Sequence, residues 1–90
     1  MKIVAVCGMG IGTSVLLKLN AEKVLKMLDI EATVDAADMA TARKASFDAQ
    51  IVLTTPELVE SLRGLNAEII SIDHFFDLEE LNTKLSKALL

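Results

Sequence analysis

Cys7 is the only cysteine of the chain, and a glycine-rich segment follows it directly: residues 7–14 read Cys-Gly-Met-Gly-Ile-Gly-Thr-Ser. This segment contains three of the protein's four glycines. Glycine adopts positive φ at little steric cost, so successive backbone N–H groups can turn toward one point and bind an anion. A thiol beside such donors is a nucleophile next to an anion site. The combination suits phosphoryl transfer.

The residues on either side of this segment predict what positions it. Lys2–Val6 is almost continuously apolar, which is typical of a buried parallel strand. An amphipathic helix is predicted from Thr13 to about Leu28, with Thr13 or Ser14 as its N-cap. Cys7 would then lie where a strand ends and the positive end of a helix begins. We expect this field to lower the pKa of the thiol.

The rest of the chain alternates short apolar runs with helical patterns. Asp38 is the expected N-cap of a short helix that reaches Ala45. Strands are predicted at Lys2–Val6, Ala32–Ala36, Ala49–Thr54 and Ala67–Ile72.

Two further helices are predicted in the second half of the chain. Thr55 should cap a helix that begins at Pro56 and stops before Gly64, since glycine suits the left-handed position after a helix end. Asp77 and Glu80 have the spacing of a capping box for the last helix.

The alternation of strand and helix predicts an α/β fold: one small flavodoxin-like domain over residues 1–90. Its four-stranded parallel sheet should have the order 2-1-3-4, with helices on both faces. The segment after strand 1 then lies at the topological switch point, where ligands bind in this architecture.

Composition excludes several functional classes. A net charge of −4 argues against a nucleic-acid partner. One cysteine cannot form an internal disulfide, and no apolar run approaches the roughly 20 residues of a membrane span. The apolar start of the chain resembles a signal peptide, but it breaks at Gly12. We expect a soluble cytoplasmic protein without a metal or a cofactor.

Other interpretations of the segment were weighed. Cys7 can simply fill the core, and the glycines can simply form a tight turn. A dinucleotide-binding loop would need glycine or alanine at Thr13, and Asp35 lies too far along to bind the ribose. A Walker loop is excluded because no Gly-Lys-Ser/Thr follows.

Other polar residues near the ends of the predicted strands are weaker candidates. His74 could carry a proton or a phosphate, and Asp73 could act as a general acid, but strand 4 is two strands away from strand 1. Thr54 and Thr55 are closer, at the end of the neighbouring strand, although helix capping is the more natural role for Thr55.

The segment resembles the enzyme IIB components of the bacterial sugar phosphotransferase system, closest to the ascorbate and galactitol types, with the lactose/cellobiose types more distant. The likeness covers the chain in length and element order and is most specific in roughly the first thirty residues. It implies a phosphotransferase in which Cys7 accepts phosphate from a phosphohistidine on enzyme IIA. Cys7 then passes the phosphate to sugar bound in the membrane transporter, enzyme IIC. The residues implied to hold the phosphate are Gly8, Met9, Gly10, Ile11, Gly12, Thr13 and Ser14.

The same fold and loop also resemble low-molecular-weight tyrosine phosphatases, which use Cys-x5-Arg. Gly12 occupies the arginine position here, and no Arg or Lys lies between Cys7 and Lys18. A phosphocarrier must avoid hydrolysing its own intermediate, so the missing arginine favours a carrier. A small cysteine-dependent phosphatase and an anion-sensing module remain the alternatives. Residues that could dock partner proteins are Met9, Ile11, Thr55 and Phe75.

Overall fold

A computed structural model describes residues 1–8 and 11–90, apart from the side chain of Ile11. The strands are β1 (Lys2–Val6), β2 (Thr33–Ala37), β3 (Ile51–Thr54) and β4 (Glu68–Ser71). The helices are α1 (Ile11–Met27), α2 (Ala42–Ala45) and α3 (Leu78–Leu89). Two short 3-10 turns, Pro56–Leu58 and Glu60–Leu62, lie between β3 and β4.

The four strands form one parallel sheet in the order β2-β1-β3-β4, which confirms the predicted fold. The central strand β1 pairs with β2 on one side and β3 on the other. Its residues 3–6 are completely buried, as the continuous apolar run predicted. The carboxyl end of β1 is therefore flanked by the ends of two other strands.

Alternate residues of the strands point to opposite faces of the sheet and build two cores. One core contains Ile3, Ala5 and Cys7 of the β1 segment and is covered by α1 and α3. The other contains Val4 and Val6 and is covered by α2 and the segment around Leu62. Cys7 thus lies on the face of the sheet that α1 covers.

The start of α1 differs from the prediction. The helix begins at Ile11, so Thr13 and Ser14 lie within its first turn and neither is the N-cap. The predicted cap was wrong because the first turn includes Gly12, a residue that local preference places outside a helix. Ser14 is buried at this end of the helix.

Two other predicted N-caps are wrong. Asp38 does not cap α2: its Oδ1 accepts hydrogen bonds from the backbone N and the hydroxyl of Thr41, each at 3.0 Å, and so closes the turn before the helix. Thr55 precedes 3-10 turns rather than an α-helix, and its side chain makes no capping hydrogen bond. The proline after Thr55 fixes a helical φ but does not by itself extend a helix.

Two end signals are confirmed. Gly64 has φ of +91°, the left-handed conformation expected after a helical segment. Asp77 caps α3, because its side chain accepts from the N–H groups of Glu79 and Glu80. Only this half of the capping box forms, since the Glu80 carboxylate accepts from the N–H groups of Asp73 and His74 instead.

Candidate functional site

The candidate site is built on the carboxyl end of β1. Cys7 follows the last residue of this strand and is 1% exposed, whereas Gly8 is exposed. The chain leaves β1 through α1 to β2 on one side, while β3 pairs on the other side. Cys7 therefore lies at the topological switch point, as predicted.

The hydroxyl of Thr54 secures the backbone immediately before Cys7. Val6 and Thr54 are paired across the strands, and the Thr54 Oγ1 donates a 2.9 Å hydrogen bond to the carbonyl oxygen of Val6. Both residues are fully buried. Thr54 therefore supports the site through the backbone, and its hydroxyl is already engaged.

Leu58, in the first 3-10 turn, covers the residue after Cys7. A Cβ placed on Gly8 would lie 3.4 Å from Leu58 Cδ2 and 3.5 Å from Leu58 Cδ1. The segment that follows β3 thus packs on the glycine-rich segment and closes one side of the site.

The glycines of the segment have different surroundings. Gly12 lies in the first turn of α1, where its φ is not positive and a Cβ would meet nothing within 4 Å. The expectation of positive φ at Gly12 is therefore wrong, because the residue is helical. Met9 and Gly10, two of the predicted phosphate-binding residues, lie outside the described residues. In general the first N–H groups of a helix lack intrahelical acceptors, and such groups can donate to an anion.

The protonation state of Cys7 differs from the prediction. Burial raises the pKa of the Cys7 thiol above that of a free cysteine, and the negative charge of Glu57 raises it further. The expected lowering of the pKa is wrong for this structure, because the side chain lies in the core that α1 covers and a carboxylate lies near it. The raised pKa favours the thiol form of Cys7 over the thiolate.

Sequence reasoning did not single out Glu57 or Leu58. Both follow β3, and in the sheet order 2-1-3-4 the end of β3 is adjacent to the end of β1. The predicted strand order could therefore have located these residues near Cys7. Their residue types could not, since neither a glutamate nor a leucine is distinctive in a loop.

Asp73 and His74 are placed away from Cys7. Both are exposed in the loop after β4, and β3 lies between β4 and β1. The His74 Nδ1 is 3.4 Å from Glu80 Oε1. These residues belong to a junction that attaches the loop to α3.

Glu80 is the centre of that junction. Burial by itself would raise its pKa, but hydrogen bonds from Lys84 and from the N–H groups of Asp73 and His74 lower the pKa to about 2. Within the described part of the chain, His74, Asp77 and Glu80 are the one group close enough together to hold a metal. Asp77 Oδ1 is engaged in capping α3, and both carboxylate oxygens of Glu80 accept hydrogen bonds from the N–H groups of Asp73 and His74.

The loop after β4 also contacts α1. The side-chain amide of Asn20 donates a 3.0 Å hydrogen bond to the carbonyl oxygen of Phe75. Exposed apolar side chains lie nearby on both segments: Leu16 and Leu19 on α1, and Phe76 in the loop. Among the described residues, no helix combines the length and the hydrophobicity that a membrane span requires.

Comparison with known proteins gives consistent results. The family model described as "PTS system, Lactose/Cellobiose specific IIB subunit" matches residues 2–87. An "Ascorbate-specific PTS system EIIB component" of Mycoplasma pneumoniae is 33% identical over 88 residues, covering 97% of this chain and 93% of that protein. The lactose-specific IIB domain of the Streptococcus pneumoniae phosphoenolpyruvate:carbohydrate phosphotransferase system superposes with a TM-score of 0.67. That structure is 16% identical, and the match covers 99% of this chain and 90% of that one, so it supports the fold.

Proposed function

The chain belongs to the lactose/cellobiose-specific IIB family of the sugar phosphotransferase system, and from this premise we propose that it carries phosphate on Cys7 between two protein partners. As a IIB component the protein is a phosphotransferase. The observation that carries the proposal is the position of Cys7, between the end of the central strand and the first turn of α1. We infer that residues 1–90 act as one phosphocarrier domain in the cytoplasm.

The proposed reaction has two balanced steps. In the first, the Cys7 sulfur attacks the phosphorus of a phosphohistidine on enzyme IIA. The S–P bond forms, the P–N bond breaks, and the thiol proton ends on the imidazole. In the second, a hydroxyl oxygen of the sugar bound in enzyme IIC attacks the same phosphorus. The S–P bond breaks, and the hydroxyl proton returns to the sulfur.

The neutral state of Cys7 fits the first step. A phosphoryl group carries negative charge, and a thiolate already present in the site would repel it during docking. Because burial and Glu57 hold the Cys7 pKa high, the free carrier presents an uncharged sulfur. The leaving imidazole needs a proton, and the thiol has one to give. The proton then leaves the sulfur only as the new bond forms.

The proposed cradle relies on backbone donors. We infer that the glycine-rich segment and the N-terminus of α1 provide these donors, at the positive end of the α1 dipole. No Arg or Lys occurs between Cys7 and Lys18 to stabilise attack by water. The only histidine and its neighbour Asp73 lie beyond β3, in the loop that follows β4. The arrangement therefore favours a carrier over a phosphatase, which needs an arginine and a well-placed acid.

The partners follow from the family. A phosphorylated enzyme IIA is the donor, and the membrane enzyme IIC holds the acceptor sugar. The exposed apolar side chains of Leu16, Leu19 and Phe76 are suitable contacts for these proteins. The relative from M. pneumoniae is named for ascorbate, so ascorbate is the first substrate to test with this chain.

The test is phosphate loading. The protein is mixed with phosphoenolpyruvate, the general phosphotransferase proteins and a matching enzyme IIA, and intact mass is followed with time. We expect a gain of one phosphoryl group that requires enzyme IIA, together with negligible hydrolysis of an aryl phosphate. Rapid hydrolysis would identify a phosphatase. Binding of inorganic phosphate without any loading would identify an anion-sensing module.

A further inference from the structure

Thr55 carries a buried hydroxyl that the fold does not use. Among the described residues, its Oγ1 is inaccessible to solvent and has no hydrogen-bond partner. Thr55 occupies the capping position of the first 3-10 turn, but its side chain makes no capping bond. Buried hydroxyls are nearly always hydrogen-bonded, and leaving one unpaired costs stability. Ser46 has the other such hydroxyl among the described residues, but Thr55 directly follows β3, at the edge of the sheet where ligands bind in this architecture.

Continued by one residue beyond the paired strands, the register brings Thr55 next to Cys7. Ala5 pairs with Leu53 and Val6 pairs with Thr54, so the next two residues, Cys7 and Thr55, are neighbours at the carboxyl edge of the sheet. Thr55 has φ of −94° and ψ of 158°, an extended conformation that continues the line of β3. Neighbouring strands lie about 4.8 Å apart, which is within reach of two short side chains.

The alternation of the strands places both side chains on the same face. Ala5 and Cys7 belong to the core that α1 covers, and so does Leu53. Thr55 is two residues after Leu53, as Cys7 is two residues after Ala5, so it has the same orientation in an extended chain. By contrast, the hydroxyl of Thr54 bonds to Val6 O.

We propose that the Thr55 hydroxyl donates a hydrogen bond to the phosphoryl group when Cys7 carries it, an inference that rests on the proposed function. The Cys7 side chain is buried, as the Thr55 hydroxyl is. A phosphoryl group bonded to the sulfur therefore lies below the surface, where this hydroxyl can contact it. A phosphoryl oxygen is a strong acceptor, and a bond to it is stronger than one between neutral groups. Because no arginine occurs between Cys7 and Lys18, one more preorganised donor would help to stabilise the charge on the transferring group.

The test compares Thr55→Val, which keeps the shape and removes the hydroxyl, with Thr55→Ser, which keeps the hydroxyl. The urea midpoint and the rate of loading from phosphorylated enzyme IIA are measured for each. We expect Thr55→Val to unfold at the wild-type midpoint or above it, because it removes an unpaired buried hydroxyl. Its loading rate should fall by roughly a hundredfold, the effect of losing one oxyanion donor. Thr55→Ser should load at close to the wild-type rate.

Three results would overturn the inference. Wild-type loading by Thr55→Val would show that the hydroxyl does not contact the phosphoryl group. A lower midpoint for Thr55→Val, with loading lost equally in Thr55→Ser, would give the residue a structural role only. Absence of loading in the wild-type protein would remove the phosphocarrier proposal itself, and the wild-type control separates that failure from the other two.

Discussion

The hydroxyl of Thr54 and the carbonyl oxygen of Val6 form a 2.9 Å hydrogen bond between the two central strands, one residue before Cys7. Thr55, the next residue, has a hydroxyl with no partner among the described residues. Two adjacent threonines thus have opposite relationships to the fold: the first stabilises the strand end that bears Cys7, and the second leaves its donor unused.

Thr54→Val tests the first of these relationships. It removes a buried hydrogen bond, so we expect the free energy of unfolding to fall by about 1–3 kcal/mol. Urea denaturation measures the change. The matched variant is Thr55→Val, for which no loss is expected. An equal loss in both variants, or a loss in neither, would contradict the assignment of the two hydroxyls.

Glu57→Gln tests the electrostatics of Cys7. Burial raises the pKa of this thiol and Glu57 raises it further, so removal of the charge should shift the pKa downward while leaving the effect of burial. The pH dependence of Cys7 alkylation measures the pKa. Glu60→Gln, which changes an exposed carboxylate in the same segment, is the control.

The pH dependence of Cys7 alkylation in the wild-type protein tests the raised pKa directly. The alkylation rate should rise with a midpoint above the roughly 8.5 of a free cysteine. Because the folded pKa is raised, stability should be full below the unfolded pKa of about 8.5 and should fall as pH rises above it. A midpoint below 8.5 would instead support the helix dipole as the dominant influence.

Gly12→Ala tests whether the open space in the first turn of α1 serves the site. A Cβ there meets nothing within 4 Å, and alanine favours helix over glycine by about 1 kcal/mol, so the variant should be more stable. We nevertheless expect phosphate loading to fall, because the proposed cradle uses the first turn of α1, to which the methyl group is added. Unchanged loading would show that the space is not used.

Gly64→Ala is the matched control for that experiment. Its φ of +91° disfavours a side chain, so we expect a loss of about 1 kcal/mol in stability without an effect on loading per folded molecule. Chemical denaturation and loading kinetics on both variants separate the two roles of glycine.

Glu80→Gln tests the junction between the β4–α3 loop and α3. The pKa of Glu80 is lowered to about 2 in the folded protein, so its contribution to stability is present above the unfolded pKa of about 4.3. That contribution should disappear as pH falls from about 4.3 to about 2. Across this range, the melting temperature should fall more steeply with decreasing pH in the wild type than in Glu80→Gln. Glu79→Gln, which changes an exposed carboxylate, is the control. The same dependence of melting temperature on pH in all three proteins would contradict this stabilising role of Glu80.

Some features of the molecule followed from local sequence. The continuous apolar run before Cys7 predicted the central strand, and the strand–helix alternation predicted the sheet order. Asp77 and Gly64 predicted helix ends, because capping and positive φ depend on a few neighbouring residues.

Other features depended on residues far apart in the chain. Whether the pKa of Cys7 rises or falls depends on its burial under α1 and on Glu57, neither of which is encoded near the cysteine. Thr55 is a residue type that often caps helices, and its proposed place next to Cys7 follows only when the register of β3 against β1 is continued by one residue. Local preference could not distinguish a capping hydroxyl from one placed at a site.

The central claim is that the phosphoryl group is carried on Cys7, and peptide mapping of the loaded protein by tandem mass spectrometry tests it most directly. The protein is loaded from phosphorylated enzyme IIA, digested at a pH that preserves both thiophosphate and phosphohistidine, and fragmented. The account predicts one phosphoryl group, on Cys7, and a folded Cys7→Ser protein that accepts none, because a serine hydroxyl ionises far less readily than a thiol. A phosphoryl group on His74, or loading that persists in Cys7→Ser, would contradict it.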